Sequence, residues 1–167
     1  LAGQLLRPSG TTLAIFHTHP QRLAAIRVAV AAVLQQRRSI LLITPHRAWL
    51  EPIRAALHGL PCVIFDRTAG RIDAWQRTLA SRAPGVVILG TRAASFTAPP
   101  SLGAIIIDHA EDDDLKQEDA APRYDARDVT AVVANARRIP RLFLTAKFGV
   151  VCMPPTGRFF CLLLHTQ

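Results

Sequence analysis

The run Leu102-Gly103-Ala104-Ile105-Ile106-Ile107-Asp108, continued by His109-Ala110-Glu111-Asp112-Asp113-Asp114, decides the fold of this chain. A short, unbroken apolar run that ends on a carboxylate reads as a strand buried on both faces, the habit of parallel sheets. Outward from it the pattern recurs in Thr12–His17 (TLAIFH), Ile40–Thr44 (ILLIT), Cys62–Phe65, Gly85–Leu89 (GVVIL) and Arg141–Thr145 (RLFLT). Helical segments are predicted between them, over Pro20–Gln36, Arg47–Leu60, Arg71–Ser81 and Asp125–Arg137. Strands alternating with helices predict an α/β fold with a mainly parallel sheet and helices on both faces. Ligands of such sheets sit at the carboxyl ends of the strands, which here carry His17, Thr44, Gly90, Asp108 and Thr145.

The chain has 167 residues, enough for one domain with a full core. Half of it is hydrophobic and 19% is charged, which excludes a disordered segment. No basic-then-apolar leader is visible and no apolar run approaches the ~20 residues of a membrane helix, so the expectation is a soluble, cytoplasmic protein with no membrane partner. Cys62, Cys152 and Cys161 are odd in number and unpaired in spacing, which argues against a disulfide framework or a cysteine zinc site. Charge is segregated. Residues 108–128 hold nine of the twelve acids against three basic residues, a net of −6, and the remainder carries a net of +14. Such a body attracts polyanions, nucleic acid first among them. Residues 149–167 fit the pattern less well, although Phe159–His165 reads as a possible further strand.

A strand ending in Asp has the layout of a Walker B site, where a carboxylate at the sheet edge holds Mg²⁺ beside nucleotide phosphates. Here Asp108 leads into Lys116-Gln117-Glu118 and then Pro122-Arg123-Tyr124-Asp125-Ala126-Arg127-Asp128. Upstream stand Gly90-Thr91-Arg92-Ala93 with Phe96, Ala98 and Pro99, and before them Thr44-Pro45 and Trp75; Ile139-Pro140 precedes the last clear strand. This ordered series, over roughly residues 12–148, resembles the PriA family of primosomal replication-restart DNA helicases, with its TPE, GTRSALFAP, DEEH, KQ and PRYHARD motifs. The resemblance implies that residues 1–148 are the first RecA-like lobe, a three-layer P-loop NTPase fold, with 149–167 an uncertain tail. It also implies ATP and Mg²⁺ as family cofactors. As partners it implies branched or single-stranded DNA, a second helicase lobe and other primosome proteins, at the nucleoid.

The sequence departs from the family where the nucleotide would bind. Counting back from Pro45 by the family's interval reaches Arg22, so the expected GSGKT reads His19-Pro20-Gln21-Arg22-Leu23. A phosphate loop needs glycines so that backbone N–H groups can approach the phosphates; Pro20 removes one donor, and Leu23 replaces the Mg²⁺-ligating hydroxyl. Arg22 keeps the charge without the compact ammonium. DEEH reads Asp108-His109-Ala110-Glu111, with His109 at the catalytic-base position, and the family's GSAT reads Leu144-Thr145-Ala146-Lys147. No cofactor is therefore expected for this chain, and no metal unless Asp108 takes Mg²⁺.

The side of the lobe that faces DNA in the family is better kept. Thr91, Arg92, Lys116, Arg123 and Arg127 are candidates for backbone phosphate, although Arg127, between Asp125 and Asp128, could equally be a helix-terminal ion pair. Leu115 stands where an aromatic commonly precedes KQ. Three readings follow: a DNA-binding lobe without hydrolysis or unwinding of its own, a helicase lobe with altered ATPase activity, or a metal-dependent hydrolase using His17, His19, Asp108 and His109.

Overall fold

The structure, a computed structural model, describes residues 10–16, 18–65, 84–119, 121–146 and 159–163. The predicted helix over 71–81 with its Trp75, and His17, Lys147 and His165, lie outside the described residues.

The predicted strands form as β1 (Thr11–Ile15), β2 (Ser39–Ile43), β3 (Cys62–Phe65), β4 (Val87–Gly90), β5 (Leu102–Ile107) and β8 (Arg141–Thr145). They join β9 (Phe159–Leu163) in one seven-stranded sheet of order β3-β4-β2-β5-β8-β1-β9, and every pairing in it is parallel. β9 runs beside β1, with Thr11 opposite Phe159 and Ile15 opposite Leu163. This is the α/β arrangement with a parallel sheet that was expected, and in it the strand ending at Asp108 and the first strand are separated by one other, β8.

Parallel strands need crossovers, and the sequence supplies helices for them. The helix α1 (His19–Gln35) and the short α2 (Leu50–Ala56) cover one face, where Ala25, Ile26, Ala29, Val30 and Ile53 pack on Ile40, Leu42, Leu142 and Leu144. On the other face Leu41, Ile43, Ile105, Ile107 and Phe143 lie under Ala126 and Ala134 of α3 (Ala126–Arg137) and under Ala94, Ala110 and Leu115 of the loops. Alternate residues of one strand thus enter opposite apolar layers, which is why the strands show no polar alternation. Each such Leu or Ile contributes about 1.5–3 kcal/mol by leaving water.

The predicted helix 47–60 is shorter in the structure. It splits into a 3₁₀ turn, Arg47–Trp49, and α2, and the chain then turns at Gly59, whose φ is 83°. Lys116–Gln117 (β6) and Tyr124–Asp125 (β7) form a small antiparallel ladder that the motif match did not foresee. Among the described residues no helix is long and apolar enough to cross a membrane.

Candidate functional site: the carboxyl edge of the sheet

The carboxyl ends of the central strands meet in sequence along one edge. The Thr44 N–H donates to the Gly90 carbonyl at 3.0 Å, the Asp108 N–H to Ile43 at 2.8 Å, and the Phe16 N–H to Thr145 at 3.1 Å. Gly90 is required here by packing. A Cβ at this position would stand 2.7 Å from the Phe65 carbonyl oxygen and 2.7 Å from the Ala94 Cβ.

Asp108 is fully buried, and Arg22, also fully buried, reaches it from the first turns of α1. Arg22 Nη1 donates to Asp108 Oδ2, and the Thr44 hydroxyl donates to the same oxygen at 3.3 Å. Arg22 Nη2 bonds His19 Nδ1 at 2.7 Å. The guanidinium carbon lies 4.5 Å from the centroid of the Trp49 ring and 5.8 Å from that of Phe16, cation–π contacts that favour a desolvated arginine. Burial pushes the Asp108 carboxyl above its ordinary range, against the opposing pull of Arg22, His109 and Thr44. His19 is displaced downward by burial and by the charge of Arg22, in keeping with a neutral ring that accepts from the guanidinium.

The turn after β5 completes the cluster. His109 takes a left-handed backbone, φ 47°, uncommon for a residue with a side chain. Its ring stacks on Trp49 at 5.5 Å and meets Phe16 edge-on at 5.7 Å, and Trp49 in turn lies 5.1 Å from His19. His109 is thus boxed by aromatic rings. Glu111 lies 3.7 Å from His109 Nδ1 and accepts from the Ala146 N–H at 3.2 Å. Burial pushes the Glu111 carboxyl up, but hydrogen bonds from His109, from its own backbone N–H, from Thr145 and from Ala146 outweigh it and bring it down to about 2.

The residues at 19–23 form the first turns of α1. Thr18 is its N-cap, with a capping box in which Gln21 N–H donates to Thr18 Oγ1 at 3.4 Å and Thr18 N–H to Gln21 Oε1 at 3.2 Å. Pro20 has no N–H to offer, and the Arg22 N–H is bonded to the Thr18 carbonyl. A helix N-terminus binds phosphate through free N–H groups, and here Thr18 takes two of them, the Gln21 N–H through its hydroxyl and the Arg22 N–H through its carbonyl. These residues do not fit a nucleotide–magnesium cradle: Asp108 Oδ2 faces a guanidinium, and Leu23 supplies no hydroxyl. Nor do His19, Asp108 and His109 converge as metal ligands; among the described residues the one such group is His46, Asp112 and Asp114.

The candidate DNA contacts divide. Thr91 and Arg92 line a concavity of about 220 Å³ with Pro45, Arg47 and Ala93, between the loops after β2 and β4. Arg92 Nη1 donates to the Asp114 carbonyl at 3.1 Å. Lys116 and Arg123 line a broader groove of about 580 Å³ with Gln117, Glu118, Tyr124, Asp125 and Asp128; Arg123 is exposed, and Lys116 pairs with Asp113 at 2.8 Å. Arg127 stands apart. It is buried, forks onto both Asp125 oxygens, and donates to the Ala110 carbonyl at 2.8 Å. Its place is that of the ion-pair alternative, tying α3 to the loop after β5. Sequence reasoning missed the part of Trp49 as the cover over Arg22, and it missed Arg47 beside Arg92. The offset of Arg47 from the Thr44-Pro45 motif was the available signal.

No protein-family model matches the chain. Over 76 residues it is 36% identical to replication restart protein PriA of Synechocystis sp. and 38% identical to replication restart protein PriA of Haemophilus influenzae. Each match takes in 46% of this chain, and the chain spans about a tenth of the length of these relatives, 9% and 10%. Among solved structures, a chain named XPD helicase is similar over 85% of this chain and 33% of its own length, with 14% identity and a TM-score of 0.48.

Proposed function

We propose that this chain, similar to replication restart protein PriA over part of its length, is the DNA-binding RecA-like lobe of a PriA-type protein and neither hydrolyses ATP nor unwinds DNA by itself. The observation that carries the proposal is the buried Arg22–Asp108 pair. In a phosphate-binding lobe the Asp at the sheet edge must face a hydrated metal and the helix N-terminus must face phosphate. Here the carboxylate faces an arginine of the same chain and the N-terminus carries its own capping box. Nucleotide binding would require breaking a fully desolvated ion pair, a cost of several kcal/mol.

On this reading DNA is met at the loops of the carboxyl edge. Arg92 with Thr91, and Arg123 with Lys116, take backbone phosphate, contacts that hold without reading sequence. The lobe works beside a second helicase lobe and other primosome proteins rather than as a motor. The test is a titration with fluorescent ATP analogue and Mg²⁺, with phosphate release measured with and without DNA. No saturable binding and no release are expected. Saturable binding with DNA-stimulated release would establish the altered-ATPase alternative in its place.

A further inference from the structure

We propose that the amino-terminal edge of the sheet is a second nucleic-acid-binding face, holding the sugar–phosphate backbone of duplex DNA on Arg37, Arg38, Arg137 and Arg138. This goes beyond the carboxyl-edge reading and stands on different residues.

α1 and α3 both end at this edge, on opposite faces of the sheet, and feed β2 and β8. Those strands are separated only by β5, and with Arg141 level with Leu41 their first residues start about 12 Å from one another. Each helix end delivers two adjacent arginines, and all four are exposed. Arg38 Nη2 donates to the Leu102 carbonyl at 2.8 Å; Arg137 donates through Nη2 to Ala98 at 2.9 Å and through Nη1 to Pro99. Two guanidinium groups are thereby clamped from either side onto the connection 98–102. Neutral carbonyls orient them without cancelling their charge, and donors of each planar fork remain.

Backbone conformation points the same way. Arg37 has φ 55° and Arg138 φ 53°, the left-handed setting beyond a helix end, where glycine or asparagine is the favoured residue. Folding would be served better by either, and a residue held where its conformation is costly is a marker of function. A cation near a helix C-terminus gains from the helix dipole, but that gain requires neither a left-handed position nor two cations at each end.

The described surroundings leave the charge uncompensated. The described segments around these arginines, 35–39, 84–86, 98–102 and 137–141, contain no Asp or Glu. Asp108 and the acidic run after it stand at the opposite edge. None of the four arginines has a carboxylate partner among the described residues. A protein partner would want an apolar centre, yet the large exposed apolar side chains among the described residues are Phe96 and Val132, both outside these segments. A polar, strongly positive surface is the character of a nucleic-acid interface, and guanidinium forks match phosphate.

The test uses Arg37→Asn/Arg138→Asn, because asparagine tolerates the left-handed setting and fold stability is kept, as thermal melting will verify. Binding of the full chain to a labelled duplex of arbitrary sequence is followed by anisotropy across a salt series. Losing two phosphate contacts lowers the slope of log K against log salt by about 1.8. Arg92→Ala, measured in parallel, reports the carboxyl edge: if it changes nothing while the double variant weakens binding, the carboxyl-edge reading fails and this one stands. A double variant that binds with the wild-type affinity and slope overturns the proposal. So does a wild-type edge that takes polyglutamate as tightly as duplex.

Discussion

Replacing Arg22 by Met removes a guanidinium whose surroundings are fully closed to water and leaves Asp108 with the Thr44 hydroxyl at 3.3 Å. Breaking a buried pair from one side costs about 3–5 kcal/mol, because the remaining charge is stranded. The lost stacking against Trp49, 4.5 Å away, adds roughly 0.5–2 kcal/mol. For a domain of this size about 1 kcal/mol shifts the melting temperature by roughly 2–4 °C, so a fall of about 7–28 °C is expected. Asp108→Leu alone should fall comparably. The double variant R22M/D108L, which strands no charge and leaves only the Thr44 hydroxyl and His19 Nδ1 without these partners, should recover most of the loss, toward or beyond wild type. Urea unfolding followed by tryptophan fluorescence measures all four proteins. A control comes from pH. With Arg22 gone, burial holds the Asp108 proton on more firmly in the folded state. The stability tied to that proton is full below the ordinary carboxyl value and is lost as pH rises through the raised one, so the R22M deficit should shrink as pH falls from neutral toward the ordinary carboxyl range. Single variants within about 1 kcal/mol of wild type, or a double variant as unstable as the sum of the singles, would refute the account of the filled pocket.

Three further outcomes are expected. Glu111, held at about 2 in the folded protein, contributes stability that is present above its unfolded value near ~4.3 and lost as pH falls from there toward the folded value; Glu111→Gln should flatten that acid limb in a pH series of thermal melts. Thr18→Ala removes half of the capping box and should cost about 1 kcal/mol by urea unfolding; no loss would mean that the cap does not hold the start of α1. Gly90→Ala places a methyl 2.7 Å from the Phe65 carbonyl and the Ala94 Cβ and should destabilise by about 1–3 kcal/mol, with Arg92-dependent DNA binding weakened along with it.

The sheet was legible because a strand buried on both faces leaves a local mark, an unbroken apolar run, and Ile105–Ile107 or Ile40–Ile43 carry it in a few residues. The end of α2 was less so. Pro52 falls in its first turn, where a missing N–H costs nothing, so the pattern ran on past Leu57 until Gly59 and Pro61 ended it. Which residues crowd the site was legible in kind only. Arg22 and Asp108 were both singled out, but they lie 86 positions apart, and spacing along the chain says nothing about whether an arginine at a lysine position faces solvent or a carboxylate. The burial of Arg127 was half visible in its two acidic neighbours. Trp49 over the guanidinium left no trace, since a tryptophan beside a helix reads the same whether it covers the core or a charge.

Two ways of losing a nucleotide site leave different structures. If residues simply drift, the pocket keeps its shape and its polar groups stand apart. If other packing takes the pocket over, the replacements must satisfy one another, since a buried charge without a partner costs several kcal/mol. Here Arg22 meets Asp108, His19 meets Arg22, Trp49 lies between His19 and His109, and Thr18 and Gln21 close the helix end on themselves. Each contact depends on another, so on the proposed reading single substitutions toward the family motif should not open a nucleotide site. Arg22→Lys alone keeps a cation under Trp49 and leaves Pro20 and Leu23 in place. Restoring nucleotide affinity should need residues 19–23 and 108–111 exchanged together for GSGKT and DEEH, and the same titration with fluorescent ATP analogue decides it. Binding regained by Arg22→Lys alone would mean that the pocket had drifted and was never repacked.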